Sequence, residues 1–416
     1  MKSFLKKVIV RTSFIVMAAA TLILPVRGFA DSCLDCHLEL EDEAALSFKV
    51  DVHNIDGVSC AGCHGGDPAS DDQEIAMDSR NGFVGAPNPL EIPQFCGKCH
   101  SDPAYMRQYN PSLATDQVDK YWTSHHGKLN RSGDEKAAQC SSCHGVHEMR
   151  PPSDPRSMVY SKNVPQTCSE CHADADYMAK YQISVSQFQD YQGSVHGVAL
   201  LEKNDLGAPA CNDCHGNHAA MPPGISSIGR VCFQCHLAEG ELFSQSPHKV
   251  GFDELGVPEC AFCHGHHAVH ALTDENIGVE QPSICLQCHS EGEAGYEAAS
   301  TMKNEIIKLK KKYEDAETLI ADAARKGIEV SDEQFELRNV RQSLINLRKL
   351  IHAFNPDSVV TTTESAMEAA NEVYLAGVQS TEEVKTRRTG FLIFSVITLI
   401  LVAILYVIVR KKTSYH

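Results

Sequence analysis

The sequence predicts a mainly α chain in three parts: short helices joined by long loops over residues 31–295, long helices over 296–388, and one transmembrane helix at 390–409. Three observations lead there. All 18 cysteines fall in nine Cys-x-x-Cys-His motifs, beginning at Cys33, Cys60, Cys96, Cys140, Cys168, Cys211, Cys232, Cys260 and Cys285. Those motifs share 265 residues (31–295), about 29 apiece, too few for each to gather a conventional apolar core. Apolar residues then recur at 3-4 spacing in two stretches, the pattern of helix seams. Finally, Gly390 to Val409 is twenty residues without a charge, the length a helix needs to cross a bilayer.

Ahead of the motifs, residues 1–30 read as a signal peptide. Lys2, Lys6, Lys7 and Arg11 make a basic start, Phe14 to Val26 an apolar stretch, and Gly28-Phe29-Ala30 a cleavage site that leaves Asp31 as the mature start. The formal charge is −17. Such a surface repels nucleic acid and favours partners with a basic face.

Numbered in chain order as motifs 1–9, the motifs fall into a repeat. A module is a plain Cys-x-x-Cys-His, then Ser-x-His, then Cys-x-x-Cys-His-Gly. The four copies are Cys33, His53, Cys60; Cys96, His126, Cys140; Cys168, His196, Cys211; and Cys232, His248, Cys260, with Cys285 alone at the end. CHSDPAYM at 99–106 parallels CHADADYM at 171–178, and YWTSHHG at 121–127 parallels YQGSVHG at 191–197. Copy one departs, with Asp51 in place of the serine.

Two cysteines two residues apart, followed by histidine, are what covalent haem attachment requires. Each sulfur forms a thioether to one of two vinyl groups on the same edge of a rigid ring, and the histidine sits under the iron. Nine motifs that use every cysteine behind an export signal predict nine haem c groups, held through Cys33, Cys36, Cys60, Cys63, Cys96, Cys99, Cys140, Cys143, Cys168, Cys171, Cys211, Cys214, Cys232, Cys235, Cys260, Cys263, Cys285 and Cys288. The porphyrins would then supply most of the buried apolar surface. The proximal ligands would be His37, His64, His100, His144, His172, His215, His236, His264 and His289.

The sixth ligand separates a carrier from an enzyme, because an iron with two protein ligands has no place for substrate. Twelve of the 21 histidines remain. The Ser-x-His pattern gives His126, His196 and His248, with His53 as its variant. A Gly-x-His extension after the second motif of a module gives His147, His218 and His267; in copy one that place holds Asp67. His270 and His352 complete nine distal candidates, leaving His125 and His266 spare and His416 beyond the span. Met106 and Met178 are rival ligands, and imidazole is favoured as the stronger donor.

In the third region, Ile306, Leu309, Tyr313, Ala316, Ile320 and Ala323 form one seam, and Leu337, Val340, Leu344, Leu347, Ile351 and Phe354 another. Gly327 is expected to end the first helix, Ser331 with Gln334 to cap the second, Asn355-Pro356 to end it, and Thr361 with Glu364 to cap a third that runs into the span. The helices can pack in cis as a hairpin or in trans as an oligomer.

CSSCHGVH at 140–147, CNDCHGNH at 211–218 and CAFCHGHH at 260–267, each with Ser-x-His upstream, resemble the multihaem cytochrome c superfamily that includes pentahaem nitrite reductase, octahaem hydroxylamine oxidoreductase and octahaem tetrathionate reductase. The resemblance covers about 31–295 and implies stacked haems followed by long C-terminal helices. No motif here replaces histidine by lysine, so the lysine-ligated catalytic haem of the nitrite reductases has no counterpart. The expected function is electron relay on the outer face of the cytoplasmic membrane, between a quinol-linked membrane subunit and a periplasmic or extracellular acceptor, with residues 410–416 as a cytoplasmic tail. A separate quinol partner is expected because the span holds no histidine, acid or base. The alternative is an enzyme acting on a small nitrogen or sulfur compound at one open haem, with motif 2 as its expected place.

Overall fold

The computed structural model describes residues 31–222 and 228–413; the signal-peptide reading and His416 lie outside them. Among the described residues the chain is helical with no strand. It divides into two compact units: residues up to Val185 with Asn204–Met221, and Ser186–Lys203 with Pro222 onward.

The first unit is built of helices of three to nine residues. Such pieces are too short to hold themselves in water, and many are fastened at their start. Aspartate does this repeatedly: Asp42, Asp51, Asp72, Asp102 and Asp174 each accept a hydrogen bond from a backbone N–H in the first turn. Part of the acidic balance is therefore capping. Met106 and Met178, at matching places in the repeat, are both buried.

The second unit contains the long helices. We call them α1 (Ala294–Arg325), α2 (Ser331–Leu350) and α3 (Pro356–Thr413). They pack on one another in cis, with both seams turned inward. Met302, Ile306, Leu309, Val340, Leu344, Leu347, Val359 and Ala370 form one apolar cluster. Ala316, Ile320, Ala323, Ile328, Leu337, Val373 and Val384 form the next along the bundle. Gly327, at φ 79°, closes α1 as expected.

Two caps differ from expectation. Ser331 lies inside the first turn of α2 and its hydroxyl bonds Glu329, so no capping box forms with Gln334. α3 begins at Pro356, not near Thr361. Asn355 Oδ1 accepts from the N–H groups of Asp357 and Ser358, and proline fits the first helical position, where its missing donor costs nothing. Thr361 instead bonds the Asp357 carbonyl within the helix. α3 continues without a break through residues 390–409. This makes it long and apolar enough to cross a membrane, with a mean hydropathy of 3.1 over its most apolar window.

Candidate haem-binding sites

The motifs take two local forms. Plain motifs 3 and 5 close nine-residue helices, Ile92–His100 and Val164–His172, each with proline in its first turn. Motifs 2, 4 and 6 are five-residue helices of their own, Cys60–His64, Cys140–His144 and Cys211–His215, and motif 8 adds one residue at the start (Glu259–His264). All four end on a glycine with positive φ: Gly65, Gly145, Gly216 and Gly265. The glycine stops the helix at the histidine and turns the chain back, and any other residue there would be strained.

The histidines then meet in pairs. His53 faces His100 (ring centroids 5.9 Å apart), His147 faces His64 (6.1 Å), His218 faces His144 (6.1 Å) and His126 faces His172 (6.1 Å). In the second unit His196 faces His236 (6.3 Å), His248 faces His289 (5.9 Å) and His352 faces His264 (6.2 Å). The seven separations all fall between 5.9 and 6.3 Å. A metal between two rings, at about 2 Å from each nitrogen and about 1 Å more to each ring centre, sets centroids roughly 6 Å apart. Each pair is one proximal and one predicted distal histidine. The residues present therefore fit hexacoordinate haem iron.

The pairing follows the repeat with a fixed offset. Each Ser-x-His serves the plain motif of the next module: His53 goes to motif 3, His126 to motif 5, His196 to motif 7 and His248 to motif 9. Each Gly-x-His reaches back: His147 to motif 2 and His218 to motif 4. Motif 8 has no later module behind it, and His352, from the turn between α2 and α3, takes that place. One hydrogen bond recurs with the offset. The residue before His53, His126 and His196 donates its N–H to the carbonyl two residues past a Gly-x-His: Val52 to Met149 (2.9 Å), His125 to Ala220 (3.0 Å) and Val195 to Val269 (2.9 Å).

The serine of Ser-x-His is a helix cap. Ser124 Oγ accepts from Gly127 N–H at 2.8 Å, and Ser194 Oγ from Gly197 N–H at 3.0 Å. Asp51 fills the role in copy one and does more. It accepts from the His53 backbone (2.8 Å), His53 Nδ1 (2.9 Å) and the Met149 backbone (2.7 Å). With Nδ1–H donated, Nε2 is left to bind metal. Backbone carbonyls do the same elsewhere: His64 Nδ1 bonds Val84 O (3.0 Å), His264 Nδ1 bonds His270 O (3.1 Å) and His352 Nδ1 bonds Lys349 O (2.9 Å). Burial, with facing His172 and His218, holds His126 and His144 down to about 4. Both are then neutral at pH 7, the form that ligates iron.

The cysteines line successive motifs up. Cys33 and Cys60 both lie against the Asp31 carboxylate. Cys63 neighbours Cys99, Cys96 meets Cys140, Cys143 neighbours Cys171 and Cys168 meets Cys211, which carries the first unit from motif 1 to motif 6 in chain order. In the second unit Cys232 meets Cys260, and Cys263 neighbours Cys285 and Cys288. First cysteines meet at odd-to-even steps and second cysteines at even-to-odd steps.

Some predicted residues are placed otherwise. Among the described residues no ring pair joins His270 to a proximal imidazole. Its N–H bonds the His264 carbonyl and its own carbonyl holds His264 Nδ1, so its backbone orients a ligand while its ring bonds Ala268 O. His267 lies edge-on to His266, with Nδ1 atoms 3.2 Å apart. The place expected to be open, motif 2, has His147 opposite His64. The module order supplied the candidates, and the offset that pairs them became visible only in the folded chain.

Residues 52–173 match the family model of cytochrome c3, and residues 20–65 match that of cytochrome c554 and c-prime. Neither the comparison with curated proteins nor that with solved structures gives a match. The two family matches fall within residues 20–173, less than half of the chain, and over that stretch the chain is similar to multihaem c-type cytochromes, whose covalent haem c its histidine pairs are spaced to fit.

Proposed function

We propose that this chain binds nine haem c groups and relays electrons on the outer face of the cytoplasmic membrane, between a quinol-linked subunit and a periplasmic or extracellular acceptor. Haem c supplies a one-electron iron couple. The 18 cysteines hold the rings, the nine motif histidines are proximal ligands, and His53, His126, His147, His196, His218, His248, His267 and His352 are distal ligands. Paired imidazoles favour ferric iron and so low potentials, whereas thioether ligation would raise them. The buried places of Met106 and Met178 support imidazole.

The observation that carries the relay reading is the chain-order contact of motif cysteines, 1 to 6 in one unit and 7 to 9 in the other. Neighbouring attachment points favour fast one-electron transfer over separate sites. His352 supports attachment to the anchor, since it ties motif 8 to the bundle that α3 continues toward the membrane. Export places the motif region outside, because c-type haem is attached there; residues 1–30 are its signal peptide and residues 410–416 its cytoplasmic tail.

Intact mass tests the count: the mature chain from Asp31 should carry nine haem masses, and a deficit overturns it. Protease added to spheroplasts should remove the motif region, and protection would overturn the orientation. Reduction of the membrane-bound protein by a quinol analogue should require a second membrane subunit. Equal reduction of the purified chain would refute the separate partner.

A further inference from the structure

We infer that motif 1 holds its iron with one axial position open, and that a small uncharged donor binds there. The inference rests on the haem reading above and identifies which site departs from paired imidazoles.

The pairing offset gives the first reason. Among the described residues the four histidines of the Ser-x-His pattern face motifs 3, 5, 7 and 9, which leaves none of them opposite motif 1. Asp67, where a Gly-x-His would stand, offers no imidazole in its place. The second reason is the observed surroundings. Among the described residues no imidazole ring lies against His37, whereas the opposite number of motif 1 in module two, His100, has His53 at 5.9 Å.

The third reason is on the proximal side. His37 Nδ1 bonds Asp42 Oδ2 at 2.8 Å, and the His37 side chain is 43% exposed. Asp42 is held there by its own cap, accepting from Ala44 N–H at 2.9 Å. A carboxylate behind a ligating imidazole fixes its tautomer and raises its basicity more than a carbonyl does. Of the other proximal histidines, His64, His215 and His264 use carbonyls, and the carboxylate nearest His289 Nδ1, that of Glu293, stands off at 3.6 Å. His37 is thus equipped to hold iron strongly from one side alone. The charge nearby selects the ligand. Asp31 and Asp67 lie near Cys33 and Asp42 behind His37, so an anion approaching this iron meets like charge.

The full-length protein tests this directly. Mass spectrometry establishes the haem count, and the oxidised protein should show one high-spin haem per chain. The reduced protein should bind one carbon monoxide per chain. In the oxidised state imidazole should convert the high-spin signal, while azide at equal concentration should not. Replacing Cys33 and Cys36 by serine should remove one haem mass and the high-spin signal together. Asp42→Asn should keep the haem count and shift that haem's midpoint potential upward, leaving the low-spin haems unmoved.

Nine haems with low-spin signals only would overturn this inference and leave the relay reading intact. A high-spin signal that survives loss of the motif 1 cysteines would place the open site elsewhere and overturn it too. Azide binding as well as imidazole would overturn the uncharged class. Fewer than nine haems in the wild type, with the motif 1 peptide unloaded, would defeat both readings.

Discussion

His352→Ala is the sharpest perturbation, because among the described residues it cuts the one histidine pair that joins a haem motif to the long helices. The His352 ring lies 6.2 Å from that of His264 with the planes 10° apart, and its Nδ1 bonds the Lys349 carbonyl at 2.9 Å. The fold should survive. The change removes one hydrogen bond, about 1 kcal/mol, at the edge of a cluster that keeps Leu344, Leu347 and Ile351. The spectrum should not survive: one iron of nine loses its second imidazole, so about a ninth of the haem should turn high-spin. Carbon monoxide binding to the reduced variant should rise by one per chain over the wild type. His125→Ala is the control, since that residue contributes its backbone N–H and should leave the spectrum unchanged. An unchanged spectrum in His352→Ala, at an unchanged haem count, would refute the pairing and with it the reading that bundle and haems act together.

Three further outcomes follow from other contacts. Gly197→Ala would place a Cβ 1.9 Å from the Tyr191 carbonyl oxygen; it should cost about 1–3 kcal/mol in thermal unfolding and displace His196, adding a high-spin haem. Arg348 holds Asp274 through two hydrogen bonds of 2.8 and 2.7 Å and keeps its carboxyl below the usual range. Arg348→Ala should therefore cost about 0.5–1 kcal/mol, discounted because the arginine is 41% exposed. A depressed carboxylate stabilises above its unfolded pKa of about 3.9, so that difference should be complete at pH 7 and fade as acid unfolding scans fall below about pH 4; a cost that persists in acid would refute the ion-pair account. Paramagnetic resonance of the oxidised protein should contain two low-spin classes. The planes of His53–His100 and His248–His289 cross at 87° and 86°, and those of His144–His218 and His264–His352 lie within 10°. Crossed planes leave the iron orbitals nearly degenerate and give a strongly anisotropic signal, and a single class would contradict the geometry.

Much was legible in the chain because the chemistry is local. Cys-x-x-Cys-His fixes attachment and proximal ligand within five residues, so no fold is needed to read it. The seams Ile306 to Ala323 and Leu337 to Ile351 became the bundle core because a 3-4 period admits one buried face. The uncharged run at 390–409 became the exposed apolar end of α3 because length and polarity alone decide it. Caps were less legible: Asn355-Pro356 can end one helix or begin the next, and here it begins α3.

What only the tertiary structure decided was the partner of each histidine. His53 and His100 are 47 positions apart and His264 and His352 are 88 apart, and nothing in either neighbourhood encodes the other. Sequence could supply candidates by pattern, and it counted nine. The folded chain set the His270 carbonyl against His264 Nδ1, brought His352 to motif 8, and left His37 with a carboxylate behind it and no imidazole opposite among the described residues. The reason is geometric. A distal ligand must lie on the far side of the ring from its motif, so it comes from another segment, and which segment reaches depends on how modules stack. That stacking is set by long-range contacts such as Val52 N–H to Met149 O, 97 residues apart, which no local pattern records.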